Sequence, residues 1–170
     1  MTGMVVHALP VARGILALCP LPGVEGDYAD DVAHLAEWRP ALVISLVSQP
    51  ELVAHGAARL GQDILDRGAR WVHLPIVDFG IPDAATDRRW PEISAMALAA
   101  LGGGGRVLVH CKGGCGRSGM VVLRLMIEAG ELPAPALERL RNLRPCAIET
   151  DAQMAWALRS RPPEFIHRAF

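Results

Sequence analysis

The chain has 170 residues, of which 51% are hydrophobic and 21% are charged, and its formal net charge is -1. This length and composition are typical of a globular protein, so we expect residues 1–170 to fold as a single domain. A charge so close to zero gives no reason to expect nucleic acid or an anionic membrane as a partner. No apolar run approaches the roughly 20 residues that a membrane span requires.

The N-terminus and the cysteines predict a cytoplasmic location. The first residues, MTGMVVHALPVARG, lack a basic lead and a long apolar stretch, so we expect no signal peptide. Four cysteines in a chain of this size do not resemble a secreted disulfide framework. We therefore expect reduced thiols, and we interpret Cys19 and Cys146 as small buried hydrophobic residues.

Short apolar runs alternate along the chain with longer segments of helical periodicity. The runs at residues 15–18, 41–47, 71–77 and 106–110 predict buried strands, and residues 4–9 predict an edge strand. Six segments predict helices, namely residues 27–38, 51–68, 85–102, 117–130, 133–144 and 149–160. This alternation predicts an α/β fold with a central, mostly parallel sheet of four or five strands and helices on both faces.

The ten residues HCKGGCGRSG, 110–119, lie between the last predicted strand and an apolar helix. That order suits an anion site, because backbone N–H groups of the loop and of the helix N-terminus converge on one point. Cys111 falls at the floor of this cradle, where the positive potential that binds phosphate also stabilises a thiolate. Arg117 adds a planar fork for two phosphate oxygens, and the Ser118 hydroxyl can donate a hydrogen bond to the sulfur.

Other uses of a loop rich in glycine and cysteine fit the sequence less well. A zinc site needs two pairs of ligands, and Cys111 with Cys115 has no matching Cys or His pair elsewhere. A nucleotide-binding P-loop needs a Lys-Ser/Thr pair after the glycines, which this loop lacks. Sulfur-transfer and arsenate-reducing enzymes also use reactive cysteines in anion loops, and a sulfurtransferase assay distinguishes them.

The motif resembles the signature His-Cys-x-x-Gly-x-x-Arg-Ser/Thr-Gly of the cysteine-dependent protein phosphatases and matches it at every fixed position. VDFGIPD, residues 77–83, resembles the loop that carries the general acid in this superfamily. AIETDAQ, residues 147–153, is similar to its glutamine loop, with Gln153 at the second glutamine and Glu149 in place of the first. With LCPLPG near the start, these segments most resemble the kinase-associated branch of the dual-specificity group, over most of the chain.

The resemblance implies a protein-tyrosine-phosphatase-like fold and a two-step reaction without metal or cofactor. Cys111 attacks phosphorus and forms a cysteinyl-phosphate, and Asp78 first protonates the leaving oxygen and then acts as a base. Gln153 positions the hydrolytic water, and Ser118 stabilises the sulfur as it leaves. The residues implied to bind phosphate are Lys112, Gly113, Gly114, Cys115, Gly116 and Arg117, with His110 as a structural partner of the loop.

Three of these assignments keep an alternative. Asp83 is the alternative general acid to Asp78, and Gln153 is alternatively a surface residue of its helix. Cys115 is either a residue tolerated at a variable position or a redox partner that traps oxidised Cys111 in a reversible disulfide.

The implied substrate is a phosphoprotein carrying phosphotyrosine, with phosphoserine and phosphothreonine admitted by a shallow cleft. Phosphoinositide phosphatases of the superfamily tend to carry two basic residues in the loop, whereas here Lys112 is present and the later position is Cys115. A phosphoinositide or small phosphorylated metabolite is therefore the alternative substrate. A phosphate-binding module without turnover is disfavoured, because the Cys, Arg and Asp are all present. The sequence leaves the oligomeric state open.

Overall fold

A five-stranded mixed sheet organises the computed structural model, which describes residues 3–159. Its strands are β1 (His7–Val11), β2 (Gly14–Cys19), β3 (Leu42–Ser45), β4 (Arg70–His73) and β5 (Arg106–His110). They lie in the order β1-β2-β5-β3-β4. β1 runs antiparallel to β2 and every other neighbouring pair is parallel, which confirms the predicted mostly parallel sheet.

In the described part of the chain, seven helices cover the sheet: α1 (Tyr28–Trp38), α2 (Gln49–Ala54), α3 (Leu60–Asp66), α4 (Ala84–Gly102), α5 (Gly116–Glu128), α6 (Pro133–Leu143) and α7 (Asp151–Leu158). The connections from β2 to β3 and from β3 to β4 both move along the sheet toward the β4 edge. The connection from β4 to β5, which contains α4, moves back toward β2. Because such crossovers are right-handed, α1, α2 and α3 lie on one face and α4 on the opposite face. There α4 packs against α5, which in turn contacts α6 and α7.

The predicted helix over residues 51–68 is wrong in its bounds and its continuity. The structure has two helices there, α2 and α3, separated by a turn in which Gly56 has a φ of +70°. A left-handed residue cannot continue an α-helix, and glycine adopts that conformation without steric cost. The first helix begins earlier than predicted because Ser48 caps it, with Ser48 Oγ accepting from the Glu51 N–H at 3.3 Å.

The core of the sheet ends at the edge where the glycine-rich loop begins. The central strands are buried on both faces, and Leu16, Val109 and Ile44 have no exposed surface. Cys19, at the end of β2, is also fully buried, which confirms its predicted role as a small core residue. Since the carboxyl ends of β2, β3 and β5 meet at one edge, the loop after β5 lies where open α/β sheets place their ligand sites.

Within residues 3–159, no helix combines the length and the apolar character needed to cross a bilayer. The last helix was predicted over residues 149–160, and in the structure α7 ends at Leu158. The predicted end, Ser160, lies outside the described residues, and so do both ends of the predicted domain 1–170.

Candidate active site

Cys111 lies directly after β5, at the floor of the glycine-rich loop. Its side chain is only 3% exposed, and its Sγ is 3.2 Å from Ser118 Oγ at the start of α5. Gly114 turns the loop with a φ of +71°, and a Cβ there would lie 2.8 Å from the backbone of Cys19 and Pro20. The loop therefore rests on the end of β2, and only glycine fits at this contact.

His110 is held in one tautomer by a chain of hydrogen bonds. Trp71 Nε1, which can only donate, donates to Ser45 Oγ at 2.8 Å, so the Ser45 hydroxyl can donate to His110 Nε2 at 2.5 Å. The proton on His110 Nδ1 is then donated to the Cys111 carbonyl oxygen at 3.0 Å. Burial lowers the pKa of His110 to about 4, so the ring is neutral at pH 7 and fixes the start of the loop.

Arg117 is buried beside Cys111 and is held by Glu51. Its Nη1 and Nη2 donate to Glu51 Oε2 and Oε1 at 2.9 and 3.0 Å, and Nη1 also donates to the Ile76 carbonyl at 2.9 Å. Burial alone would raise the pKa of Glu51, but hydrogen bonds from Arg117 and Ser48 outweigh it and lower that pKa. For Arg117, burial is likewise outweighed by Glu51, and its pKa is raised. Both groups are therefore charged at neutral pH.

Glu51 was not predicted to belong to the site. The available local signal was the capping box Ser48-x-x-Glu51, in which the Glu51 carboxylate accepts from the Ser48 N–H at 2.8 Å. That signal predicts a helix start and says nothing of Arg117, which is 66 residues away along the chain.

The two candidate acids occupy different places. Asp78 lies in the same pocket as Cys111, with Oδ1 accepting from the Phe79 N–H at 3.0 Å and lying 3.4 Å from Arg117 Nη2. Asp83 is the N-cap of α4, and its side chain accepts from the Thr86 N–H at 2.8 Å. That hydrogen bond lowers the pKa of Asp83. Asp78 therefore shares a cavity with the thiol and lies beside the guanidinium, whereas Asp83 does not line that cavity.

A cavity of about 230 Å³ opens above Cys111. Besides Asp78, the predicted residues that line it are Cys111, Lys112, Gly113, Cys115, Gly116 and Arg117. Gly114, Ser118 and His110 support the loop from below and are buried. Val24, Phe79 and Glu149 complete the walls, and none of the three was predicted to lie there.

Gln153 is fully buried, so its interpretation as a surface residue of α7 is wrong. Its Oε1 accepts from the Glu149 N–H at 2.9 Å, and its Nε2 donates to the Gly80 carbonyl at 3.2 Å. These bonds join the segment of Glu149 to the loop of Asp78. Glu149 lines the cavity itself, whereas Gln153 is not among the lining residues.

Cys115 forms a disulfide with Cys146, 31 residues further along the chain, with a Cα–Cα distance of 5.2 Å. The predicted redox pairing of Cys115 with Cys111 is therefore wrong, as are the expectations of four reduced thiols and of Cys146 as a simple hydrophobic residue. Contacts around the disulfide explain the pairing. Arg144 Nε and Nη2 donate to the carbonyls of Gly114 and Gly113 at 3.1 and 2.9 Å, which draws the Cys146 segment against the loop.

A buried thiol beneath a loop of backbone amides, next to a fixed guanidinium and a carboxylate, defines a cysteine-based phosphatase. Comparisons with known proteins agree. The family model described as "Swiss Army Knife protein, DSP-PTPase phosphatase domain" matches residues 23–157. Cyclin-dependent kinase inhibitor 3 of Sus scrofa is 31% identical over 157 residues, which cover 85% of this chain and 73% of that protein.

Solved structures show the same relationship. A structure of kinase associated phosphatase with its catalytic-site cysteine substituted by serine superposes with a TM-score of 0.81 at 26% identity, covering 92% of this chain and 93% of that one. The active form of Tk-PTP gives a TM-score of 0.71 at 28% identity, covering 90% of this chain and 95% of that one. The chain belongs to the protein-tyrosine/dual-specificity phosphatase family, in its kinase-associated branch.

Proposed function

We propose that this enzyme removes phosphate from phosphotyrosine, and also from phosphoserine and phosphothreonine, in protein substrates through a cysteinyl-phosphate on Cys111. The observation that carries the proposal is that Cys111, Arg117 and Asp78 line one cavity. A thiolate, a bidentate phosphate ligand and a proton donor are the three groups that a covalent phosphoryl transfer needs.

Arg117 is oriented for phosphate before substrate arrives. Glu51 and the Ile76 carbonyl engage both Nη1 protons and one Nη2 proton. The Nε proton and the second Nη2 proton, which now faces Asp78, are left to bind two phosphate oxygens. Because Glu51 fixes the guanidinium, little conformational freedom is lost when phosphate binds, and the loop amides complete the charge stabilisation.

In the first step the Cys111 sulfur attacks phosphorus and the bond from phosphorus to the ester oxygen breaks. Asp78, protonated, donates its proton to that oxygen, so the product leaves as a neutral alcohol or phenol. Asp78 is half-exposed on a loop, with a side-chain exposure of 48%, and so is accessible to a substrate oxygen entering from solvent.

In the second step water attacks the cysteinyl-phosphate, Asp78 accepts a proton from it, and the Cys111 thiolate leaves. Ser118 Oγ, 3.2 Å from the sulfur, donates a hydrogen bond to the departing thiolate. We assign Gln153 a positioning part in this step, because its amide links the Glu149 backbone to Gly80, two residues after Asp78. His110 remains neutral and supports the loop throughout.

The walls of the cavity support an aromatic phosphoester as substrate. Val24 and Phe79, 37% and 59% exposed, present apolar surface at the mouth above the phosphate loop. A phenyl ring attached to the bound phosphate would bury that surface, which favours binding by the hydrophobic effect. The family relationship supports a phosphoprotein as the partner.

The proposal is tested by steady-state rates on matched phosphotyrosine and phosphothreonine peptides and on an inositol phosphate. We expect hydrolysis of both peptides, faster for phosphotyrosine, and none by Cys111→Ser. Cys19→Ser, which changes a buried thiol outside the cavity, is the matched control and should retain turnover. Preferential hydrolysis of inositol phosphate, or turnover by Cys111→Ser, would overturn the proposal.

A further inference from the structure

Glu149 is a carboxylate in the wall of the phosphate cavity, without a side-chain partner among residues 3–159. Within residues 3–159 its carboxylate oxygens accept no hydrogen bond and join no ion pair, although its own N–H donates to Gln153 Oε1 at 2.9 Å. Its carboxylate lies over the first residue of α5, because a Cβ added to Gly116 would overlap Glu149 Oε1. The side chain is thus a negative charge placed at the helix end that binds phosphate.

The backbone holds Glu149 in this place by a strained conformation. Ile148, directly before it, has a φ of +67°, which is rare and costly for a β-branched residue. Ile148 is buried, with an exposure of 6%, and its N–H donates to the Cys115 carbonyl at 3.3 Å. Gly119 admits this close approach, since a Cβ there would lie 2.7 Å from the Ile148 nitrogen. Glu149 therefore stays over the loop.

The charges around the cavity leave no surplus for a second anion. Two cations, Lys112 and Arg117, face three carboxylates: Glu51, Asp78 and Glu149. Glu51 already compensates Arg117, and one phosphate uses the remaining guanidinium donors and the loop amides. Among the cavity-lining residues within 3–159, Lys112 is then the cation left to oppose Glu149, since Arg144 donates to the carbonyls of Gly113 and Gly114 and does not line the cavity. Another negative group beside the bound phosphate would therefore meet a repulsive field.

We propose that Glu149 is a specificity-determining residue that excludes substrates carrying a second anionic group next to the scissile phosphate. This inference rests on the proposed function. It narrows the substrates to phosphomonoesters that carry no other anionic group near the scissile phosphate. In the glutamine loop that residues 147–153 resemble, this position is a glutamine. Its amide has nearly the shape of a carboxylate but carries no charge. The change to glutamate therefore adds charge at constant size, and the substitution Glu149→Gln removes it again.

The kinetic test compares phenyl phosphate with 3-carboxyphenyl phosphate, which adds one carboxylate to the ring. We expect Glu149→Gln to raise the ratio of kcat/KM for the carboxylated substrate to kcat/KM for phenyl phosphate by about three- to tenfold at low ionic strength. The gain should shrink at about 0.5 M salt, which screens exposed charges. Asp151→Asn, the same charge change two residues away and outside the cavity lining, should leave the ratio unchanged.

A binding test separates this inference from the proposed function. In a Cys111→Ser background, calorimetry gives the affinities for inorganic phosphate and for pyrophosphate with and without Glu149→Gln. We expect the added substitution to strengthen pyrophosphate binding about three- to tenfold more than phosphate binding. Equal effects on the two ligands would overturn the role of Glu149, even for an enzyme that hydrolyses phenyl phosphate normally. Failure of the unsubstituted chain to hydrolyse any monoester would overturn the proposed function alone.

Discussion

Glu51 and Arg117, which are 66 residues apart in the chain, form a two-pronged ion pair with distances of 2.9 and 3.0 Å. Arg117 is 2% exposed, so its charge depends on this partner. Glu51 also closes the N-terminus of α2 through Ser48. The Glu51 carboxylate thus has two roles: it caps the start of α2, and it holds the Arg117 guanidinium that is proposed to bind phosphate.

Glu51→Gln should lower both activity and stability, because it leaves a buried guanidinium without its counter-charge. We expect kcat/KM on phenyl phosphate to fall more than tenfold and the free energy of unfolding to fall by about 2 kcal/mol. Ser48→Ala removes the cap alone and should cost about 1 kcal/mol with a smaller loss of activity. Equal losses of activity in the two variants would show that Glu51 acts only as part of the helix cap.

His110 should make the protein less stable in mild acid. Its pKa is lowered in the fold to about 4 from an ordinary value of 6.5, so folding favours the neutral ring. Its contribution is complete above pH 6.5 and is lost as the pH falls from 6.5 toward 4, by up to about 3 kcal/mol. Urea unfolding at several pH values measures this loss.

The matched variant for this prediction is His110→Asn, whose amide can still donate to the Cys111 carbonyl but does not titrate. It should flatten the pH dependence of stability between pH 6.5 and 4. Glu51, whose pKa is lowered from 4.5, adds its own loss only as the pH falls through that lower range. An unchanged slope between pH 6.5 and 5 in the asparagine variant would contradict the assignment to His110.

The Cys115–Cys146 disulfide should stabilise the fold and the phosphate loop together. Its loss by Cys146→Ser should reduce the free energy of unfolding by about 3 kcal/mol, the usual scale for a loop of this length. Reductant should destabilise the wild type by the same amount and leave Cys146→Ser and Cys115→Ser unaffected. A reductant effect of equal size in all three proteins would contradict the pairing.

Substitution of Asp78 should lower the catalytic rate, whereas substitution of Asp83 should lower the stability of the fold. Asp78→Ala should lower kcat by about 10²- to 10⁴-fold, the usual contribution of a general acid. Asp83→Ala should instead cost about 1 kcal/mol of stability, because it removes the cap of α4, and kcat should change little. Thermal unfolding and steady-state rates on phenyl phosphate measure the two effects. The reverse pattern would make Asp83 the acid.

The sequence predicts this fold well where local patterns determine it. The β5 strand, the glycine-rich loop and the α5 helix follow one another, so their arrangement around Cys111 is readable from one stretch of chain. Gly56 was the signal for the break between α2 and α3, but a single glycine inside a periodic pattern is compatible with a continuous helix. The strand and helix types were therefore more secure than their bounds.

The site was predictable in its loop and not in its long-range partners. Glu51 and Cys146 reach the phosphate loop from segments whose local sequence signals a helix cap and a turn. The periodicity of hydrophobic residues predicts helices and strands but not which distant side chain contacts Arg117 or Cys115. Those contacts depend on how the helices and strands pack together. Asp78 was already the predicted general acid, with Asp83 as the alternative, and the structure adds that Asp78 lies 3.4 Å from Arg117 whereas Asp83 caps a helix.

Rapid denaturing quench followed by peptide mass spectrometry shows directly whether Cys111 carries the phosphoryl group during turnover. With phenyl phosphate as substrate, we expect one phosphoryl group on the peptide that contains Cys111. It should form more slowly in Asp78→Ala, because loss of the acid slows departure of the phenol in the first step. Phosphate found on another residue would exclude Cys111 as the nucleophile. Continued turnover with no phosphorylated peptide, under quench conditions that preserve the S–P bond, would exclude it as well.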